Sequence, residues 1–272
     1  MAMRLMRNTV CFTYALVECA SLLAMKLFVL GAVILGAACG KASEKPAPGQ
    51  AVVSSSPAVR AETAVYTPTF STKGGDMVAG TAFVVRVSAG GKPLLLTAHH
   101  LFGEMGGLDR EYTWQELPAF VTGVTATPVG SGAPVRAGAA LPIKGAIAFT
   151  QQHMGSDVAA FPVTGHENEP VLTFATTPPA EGAEVFLIAK LEGAPVGKLR
   201  YRGVVRVVEG GTIAFTLDDK GLKLRGSSGA PIVNAAGQVV GMNLASGEMD
   251  GETVGMGASA DAVTKLVAAA VR

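Results

Sequence analysis

The sequence predicts an all-β protein built as antiparallel barrels or a sandwich. Short strand-like runs recur along most of the chain, and turn signals such as Ser88-Ala89-Gly90-Gly91 separate them. The 34 glycines are spread through the chain without a G-X-Y period or a tandem repeat. With 49% hydrophobic and 16% charged residues in 272, there is ample material for one large domain or two small cores.

In chain order, the first 24 residues carry Arg4 and Arg7 and a moderately apolar run broken by Glu18. They extend an export signal or lie upstream of a true start at Met25. Met25-Lys26 followed by the apolar stretch 27–38 has the basic start, short core and small residues of a signal peptide. It is too short for a comfortable spanning helix. Residues 1–38 are therefore read as a membrane-targeting segment and 39–62, rich in Lys, Ser, Pro, Glu and Ala, as a flexible tether.

Strands are expected over 64–70, 81–87, 93–97, 120–127, 146–150 and 158–163. A second set is expected over 184–191, 200–208, 212–217, 230–234, 238–244 and 253–257. The Pro- and Thr-rich segment 164–180 separates the sets. Ser259 caps an amphipathic helix through Val267. The long connection 102–118 carries the single tryptophan, Trp114, either as a subsite wall or as part of a half-buried surface helix.

Composition narrows the function. A formal net charge of +1, with no basic stripe, argues against nucleic-acid binding. The three cysteines, Cys11, Cys19 and Cys39, all precede residue 40, so the globular part has no disulfide, thiol nucleophile or metal cage. His153 and His166 lack metal-ligand spacing, and no phosphate loop or dinucleotide fingerprint appears, so neither metal nor cofactor is expected. Composition sets no oligomeric state.

Three stretches carry chemistry. Leu94 to His100 places histidines where an apolar strand stops. Gly155-Ser156-Asp157-Val158 places an aspartate where one starts, and Gly226-Ser227-Ser228-Gly229-Ala230-Pro231 holds a serine between glycines before another. A serine hydroxyl needs a neighbouring base to become a nucleophile at neutral pH, imidazole suits that task, and a carboxylate fixes the imidazole tautomer. The N–H groups of Gly226 and Ser228 are candidates for an oxyanion hole. The order His, Asp, Ser is that of the chymotrypsin-type triad, and the G-x-S-x-G elbow of α/β-hydrolases is missing. His99 rivals His100 as the base, and Asp109, Asp218 and Asp219 rival Asp157 as the acid.

These motifs resemble the trypsin-like, chymotrypsin-fold serine peptidases, especially disulfide-free bacterial members similar to HtrA and the glutamyl endopeptidases. Gly80-Thr81-Ala82-Phe83-Val84-Val85 resembles G-T/S-G-F-V-V, and Thr97-Ala98-His99-His100 resembles T-A-A-H. Asp157-Val158-Ala159-Ala160 resembles D-I/V-A-L, residues 226–231 resemble G-D/N/S-S-G-G/S-P, and 237–242 resemble G-x-V-V-G-I. The resemblance spans about residues 63–272. It implies two antiparallel six-stranded barrels, about 63–165 and 178–258, a C-terminal helix over 259–271, and no PDZ-type module after it.

It also implies serine endopeptidase activity on a protein or peptide substrate, with His100 as base, Asp157 as acid and Ser228 as nucleophile. His99 then becomes a core or turn residue. Ser227 stands where many relatives have an aspartate that pairs with a newly cut N-terminus, so activation by N-terminal cleavage is not expected. Residues 221–225 and 243–246 are expected to shape the primary pocket. Leu222, six places before Ser228, argues against Lys or Arg preference and for small or apolar side chains. Cys39 after Gly36-Ala37-Ala38 resembles a lipobox, which implies lipidation and an envelope location, although Gly36 departs from the usual aliphatic residue. A catalytically inactive envelope lipoprotein and an esterase using the same triad are the competing readings.

Overall fold

The near-continuous apolar runs Phe83-Val84-Val85 and Leu94-Leu95-Leu96 announce strands buried on both faces, because alternate side chains point to opposite sides of a sheet. The computed structural model describes residues 60–150, 152–165, 171–249 and 252–271, all within the compact unit Ser54–Arg272. In it Val84 and Leu95 enter the interior of a first barrel, beside Tyr66, Phe70, Phe102 and Phe161. Their neighbours Phe83, Val85, Leu94 and Leu96 turn the other way, into a separate apolar layer with Ile188, Val233, Met242 and Leu244. Those partners belong to a second barrel. One strand thus serves two cores.

The first sheet comprises β1 (Val65–Thr72), β2 (Gly75–Val78), β3 (Ala82–Arg86), β4 (Leu94–Thr97), β5 (Val121–Pro128), β6 (Val135–Ala137), β7 (Ala159–Thr164) and β8 (Leu172–Thr173). Its order is β2-β1-β5-β6-β7-β4-β3-β8, and pairing of β1 with β3 closes six of these strands into a barrel. β2 extends β1 as a hairpin, and β8 adds the one parallel pairing, to β3. A short helix, α1 (Leu117–Phe120), leads into β5.

The second barrel comprises β9 (Glu184–Ile188), β10 (Arg200–Glu209), β11 (Thr212–Leu217), β12 (Pro231–Val233), β13 (Val239–Met249) and β14 (Glu252–Ser259), closed in the order β10-β11-β14-β13-β12-β9. Gly210 and Gly211, at φ +58° and +84°, make the two-residue turn between β10 and β11. Two consecutive positive φ values are what a tight hairpin with the natural strand twist needs, and glycine meets both without steric cost. The interior is filled by Val185, Leu187, Tyr201, Ile213, Phe215 and Ile232.

α2 (Ala260–Ala270) closes the described structure. The Ser259 Oγ accepts the Ala262 N–H, and Val263 and Val267 are buried in the layer between the barrels. The all-β class, the two six-stranded barrels and the C-terminal helix agree with the sequence reading.

The strand expected over 146–150 is absent. Its apolar residues act singly instead: Ala146 is buried, the Ile147 N–H donates to the Ser156 carbonyl, and Phe149 turns its ring toward His100. β2, β6 and β8 were not expected. They have two to four residues, too few to show an alternating pattern, and β2 reads Gly-Asp-Met-Val. The targeting segment, the tether through residue 59, Cys39 and His166 lie outside the described residues.

Candidate active site

β4 ends at Thr97, Ala98 remains extended, and a single 3-10 turn, His99–Phe102, begins at the seam of the two barrels. Another short 3-10 turn, Met154–Ser156, delivers Asp157 just before β7. Because β4 and β7 are paired, with Thr97 opposite Ala159, these two turns emerge side by side. The Asp157 carboxylate is fully buried and grips His100 at two points. Oδ1 accepts the His100 backbone N–H at 2.9 Å, and Oδ2 pairs with the ring Nδ1 at 2.6 Å.

A buried carboxylate is costly unless its oxygens are hydrogen-bonded, and both are. Opposite a carboxylate, which only accepts, Nδ1 is the donor of this pair. The pairing fixes the ring's orientation, with Phe149 edge-on at 6.5 Å.

Ser228 sits in the turn before β12, between Gly226 and Gly229 at φ +82° and +84°. The turn's main chain is unevenly satisfied. The Ser227 N–H donates to the Leu224 carbonyl, that of Gly229 to Asn243 and that of Ala230 to Ser227, whereas the Gly226 and Ser228 N–H groups have no protein acceptor among the described residues. Free neighbouring donors of this kind suit a developing oxyanion.

Barrel one supplies the clamp. The Thr81 Oγ1 donates to the Gly226 carbonyl at 2.9 Å, the Thr81 N–H donates to the Ser228 carbonyl at 2.8 Å, and Thr97 Oγ1 donates to the Thr81 carbonyl at 2.7 Å. A Cβ on Gly229 would lie 2.2 Å from the Thr81 oxygen and 2.4 Å from Thr97 Oγ1. Gly229→Ala combines that clash with a left-handed φ, for an expected loss of about 3 kcal/mol or more. A fall in Tm of about 6–12 °C, read by thermal unfolding, checks it.

His100 and Ser228 line the same open cleft of about 910 Å3. The expected hydrogen bond between them is not formed. The Ser228 hydroxyl instead donates to the Leu244 carbonyl at 3.0 Å, because a hydroxyl rotor takes the best acceptor in reach and β13 presents one. Leu222, Leu224 and Leu244 add apolar wall, and Lys223, Arg225 and Glu248 add charge. The pocket expected from 221–225 and 243–246 is thus formed in part: Asn243 faces inward rather than into the cleft. Leu222 is buried in the second barrel's core, and the cleft's carboxylate, Glu248, comes from farther along β13.

The rival residues sit elsewhere. His99 is a buried core histidine whose Nε2 meets the Tyr112 carbonyl at 2.8 Å. Asp218 pairs with Arg202 and Asp219 with Lys198, both on the exterior, and Asp109 lines a separate depression with Lys73 and Arg110. The His153 ring meets the Thr150 hydroxyl, and no metal-binding group of side chains occurs among the described residues. Trp114 is half-buried against the inter-barrel layer and does not line the cleft.

The connection holding Trp114 is fastened by Arg110, which grips Glu116 with two nitrogens and stacks 3.9 Å over the Tyr112 ring. The guanidinium, helped by Thr113, holds the Glu116 carboxyl down at about 2. The lowered value means that this tie is complete above the ordinary carboxylate range and is lost only as pH falls toward 2.

Two six-stranded barrels, with an aspartate-bound histidine and a glycine-flanked serine at their seam, define the chymotrypsin-like serine peptidase fold. The chain belongs to the trypsin-like peptidase domain family, whose model matches residues 80–242, from the strand after Gly80 into β13. Among solved structures, the serine endoprotease of Yersinia pestis is 19% identical with a TM-score of 0.53, covering 78% of this chain and 64% of that one. The active form of the Rv3671c protease of M. tuberculosis is 20% identical with a TM-score of 0.48, covering 85% and 94%. At these identities the likeness concerns the fold. No curated protein matches the chain in sequence.

Thr81 and Thr97 have no role in the sequence reading, and Asn243, expected on the pocket wall, is buried behind the serine turn instead. Thr81 and Thr97 lay inside quoted motifs, but nothing in a sequence tells that a threonine hydroxyl reaches across to a turn some 130 to 145 residues away.

Proposed function

We propose that the protein is a serine endopeptidase in which His100, Asp157 and Ser228 form the triad. The two-point grip of Asp157 on His100 carries this reading, because it fixes an imidazole with a free Nε2 in the cleft that Ser228 lines. For the reaction the Ser228 hydroxyl leaves the Leu244 carbonyl for that nitrogen. His100 takes the proton as Oγ attacks the substrate carbonyl, and Asp157 balances the imidazolium. The Gly226 and Ser228 N–H groups receive the oxyanion. His100 then protonates the leaving amine, and water activated by the same ring releases the acyl group from Ser228. The apolar wall made by Leu224 and Leu244 with the edge of Leu222 favours small or apolar side chains in the primary pocket.

A second reading, a binding protein on an inactive peptidase fold, draws on the Ser228–Leu244 bond, which holds the nucleophile away from its base. Covalent labelling with a fluorophosphonate separates the two. Labelling of the folded wild type and none of Ser228→Ala is expected; an unlabelled wild type, or equal labelling of both, rejects the enzyme.

Export and lipid anchoring at a bacterial envelope are part of the proposal, supported by the 25–39 signal and the tether that follows. Cys39→Ser is expected to shift the protein from the membrane to the soluble fraction on cell fractionation. Retention of that variant in the membrane rejects lipid anchoring.

A further inference from the structure

Asn243 takes no part in the chemistry above, yet it is buried and its Oδ1 has no hydrogen-bond partner. An unpaired acceptor in the interior is unfavourable, and an apolar side chain of the same size would avoid it. The amide's other end explains its presence. Its Nδ2 donates to the Ser227 Oγ at 2.9 Å and lies 3.4 Å from the Ser227 carbonyl oxygen. The Ser227 hydroxyl is fully buried and spends its own proton on the Leu224 carbonyl, so it can only accept from Asn243. That fixes the amide's orientation.

The main chain of Asn243 holds the far side of the same turn. Its carbonyl accepts the Gly229 N–H at 2.7 Å, and its N–H donates to the Ala230 carbonyl at 2.8 Å. Asn243 therefore spans the nucleophile, with its side chain on residue 227 and its backbone on 229 and 230. In a planar trans peptide the C=O and N–H point in opposite directions. Drawing the Ser227 carbonyl inward, toward Asn243 Nδ2 and the Ala230 N–H, turns the Ser228 N–H outward, where it has no protein acceptor.

We propose that Asn243 and Ser227 form a positioning pair that aims the Ser228 N–H at the oxyanion, an inference that rests on the peptidase reading. The pair holds the turn from β13, as Thr81 holds it from the first barrel.

The test uses Asn243→Leu, Ser227→Ala and the double variant, measuring fluorophosphonate labelling rate, kcat and KM on a peptide ester, and Tm. Each single change is expected to slow labelling and lower kcat by about 10- to 100-fold, with KM within about twofold. Asn243→Leu should keep or raise Tm because it removes the unpaired Oδ1. The double variant should be no slower than the worse single one, since both act through one turn. Labelling of the single variants at the wild-type rate, or slowed only in proportion to lost folded protein, overturns the inference while leaving the peptidase intact. If Asn243→Leu does not fold, Ser227→Ala alone decides. A folded wild type that does not label overturns the peptidase reading and this inference with it.

Discussion

Replacing Ser228 with alanine is expected to lower peptide hydrolysis on the order of a millionfold, to a residue supplied by the oxyanion donors and substrate binding alone. The variant should stay folded. It gives up one hydrogen bond, to the Leu244 carbonyl, for an expected stability change of about 1 kcal/mol. Paired measurements of kcat and Tm separate loss of chemistry from loss of structure. A parent whose activity survives the change does not use Ser228, and the triad proposal then fails. Running the comparison on a peptide and on the matching ester also decides between peptidase and esterase: a peptidase cleaves both, and an esterase only the ester.

Asp157→Asn should cost about 10,000-fold in kcat at neutral pH while hardly disturbing shape. One amide oxygen can still accept the His100 main-chain N–H, as Oδ1 does now at 2.9 Å. The amide nitrogen then faces Nδ1, where Oδ2 now lies 2.6 Å away, and a donor there forces Nδ1 to become the acceptor. The ring proton moves to Nε2. The base is then turned off although no atom need shift by more than a few tenths of an ångström. A loss of only a few fold would mean that His100 is not the proton acceptor. A loss accompanied by a collapse in Tm would mean that the buried carboxylate acts mainly as a structural strut.

The parts of the fold that were legible in the sequence are those with strong, local signals. Two-sided burial writes itself as unbroken apolar runs, so β3, β4 and β7 were found within a residue or two, and Ser259 marked the start of α2. The three-residue β6 and two-residue β8 carried too little pattern, and the run at 146–150 misled because burial of isolated side chains looks like a strand when pairing cannot be seen. In the site, the motifs favour His100 over His99, and the structure pairs His100 with Asp157 while setting His99 in the core against Tyr112. What stayed hidden was everything set by long-range approach. The resting direction of the Ser228 hydroxyl depends on a carbonyl 16 residues later, and the partners of Ser227 depend on which way β13 turns Asn243.

Thr81 is anchored in the first barrel, yet two of its polar groups end on the serine-bearing turn of the second. The halves are consequently not interchangeable cassettes. A fragment stopping ahead of β9 would retain the imidazole and its carboxylate, but Thr81 would have lost both acceptors, and Phe83 and Val85 would face water where Val233 and Met242 now cover them. Splitting or shuffling the chain at its midpoint would thus dismantle the His100–Ser228 cleft and the apolar seam in a single stroke.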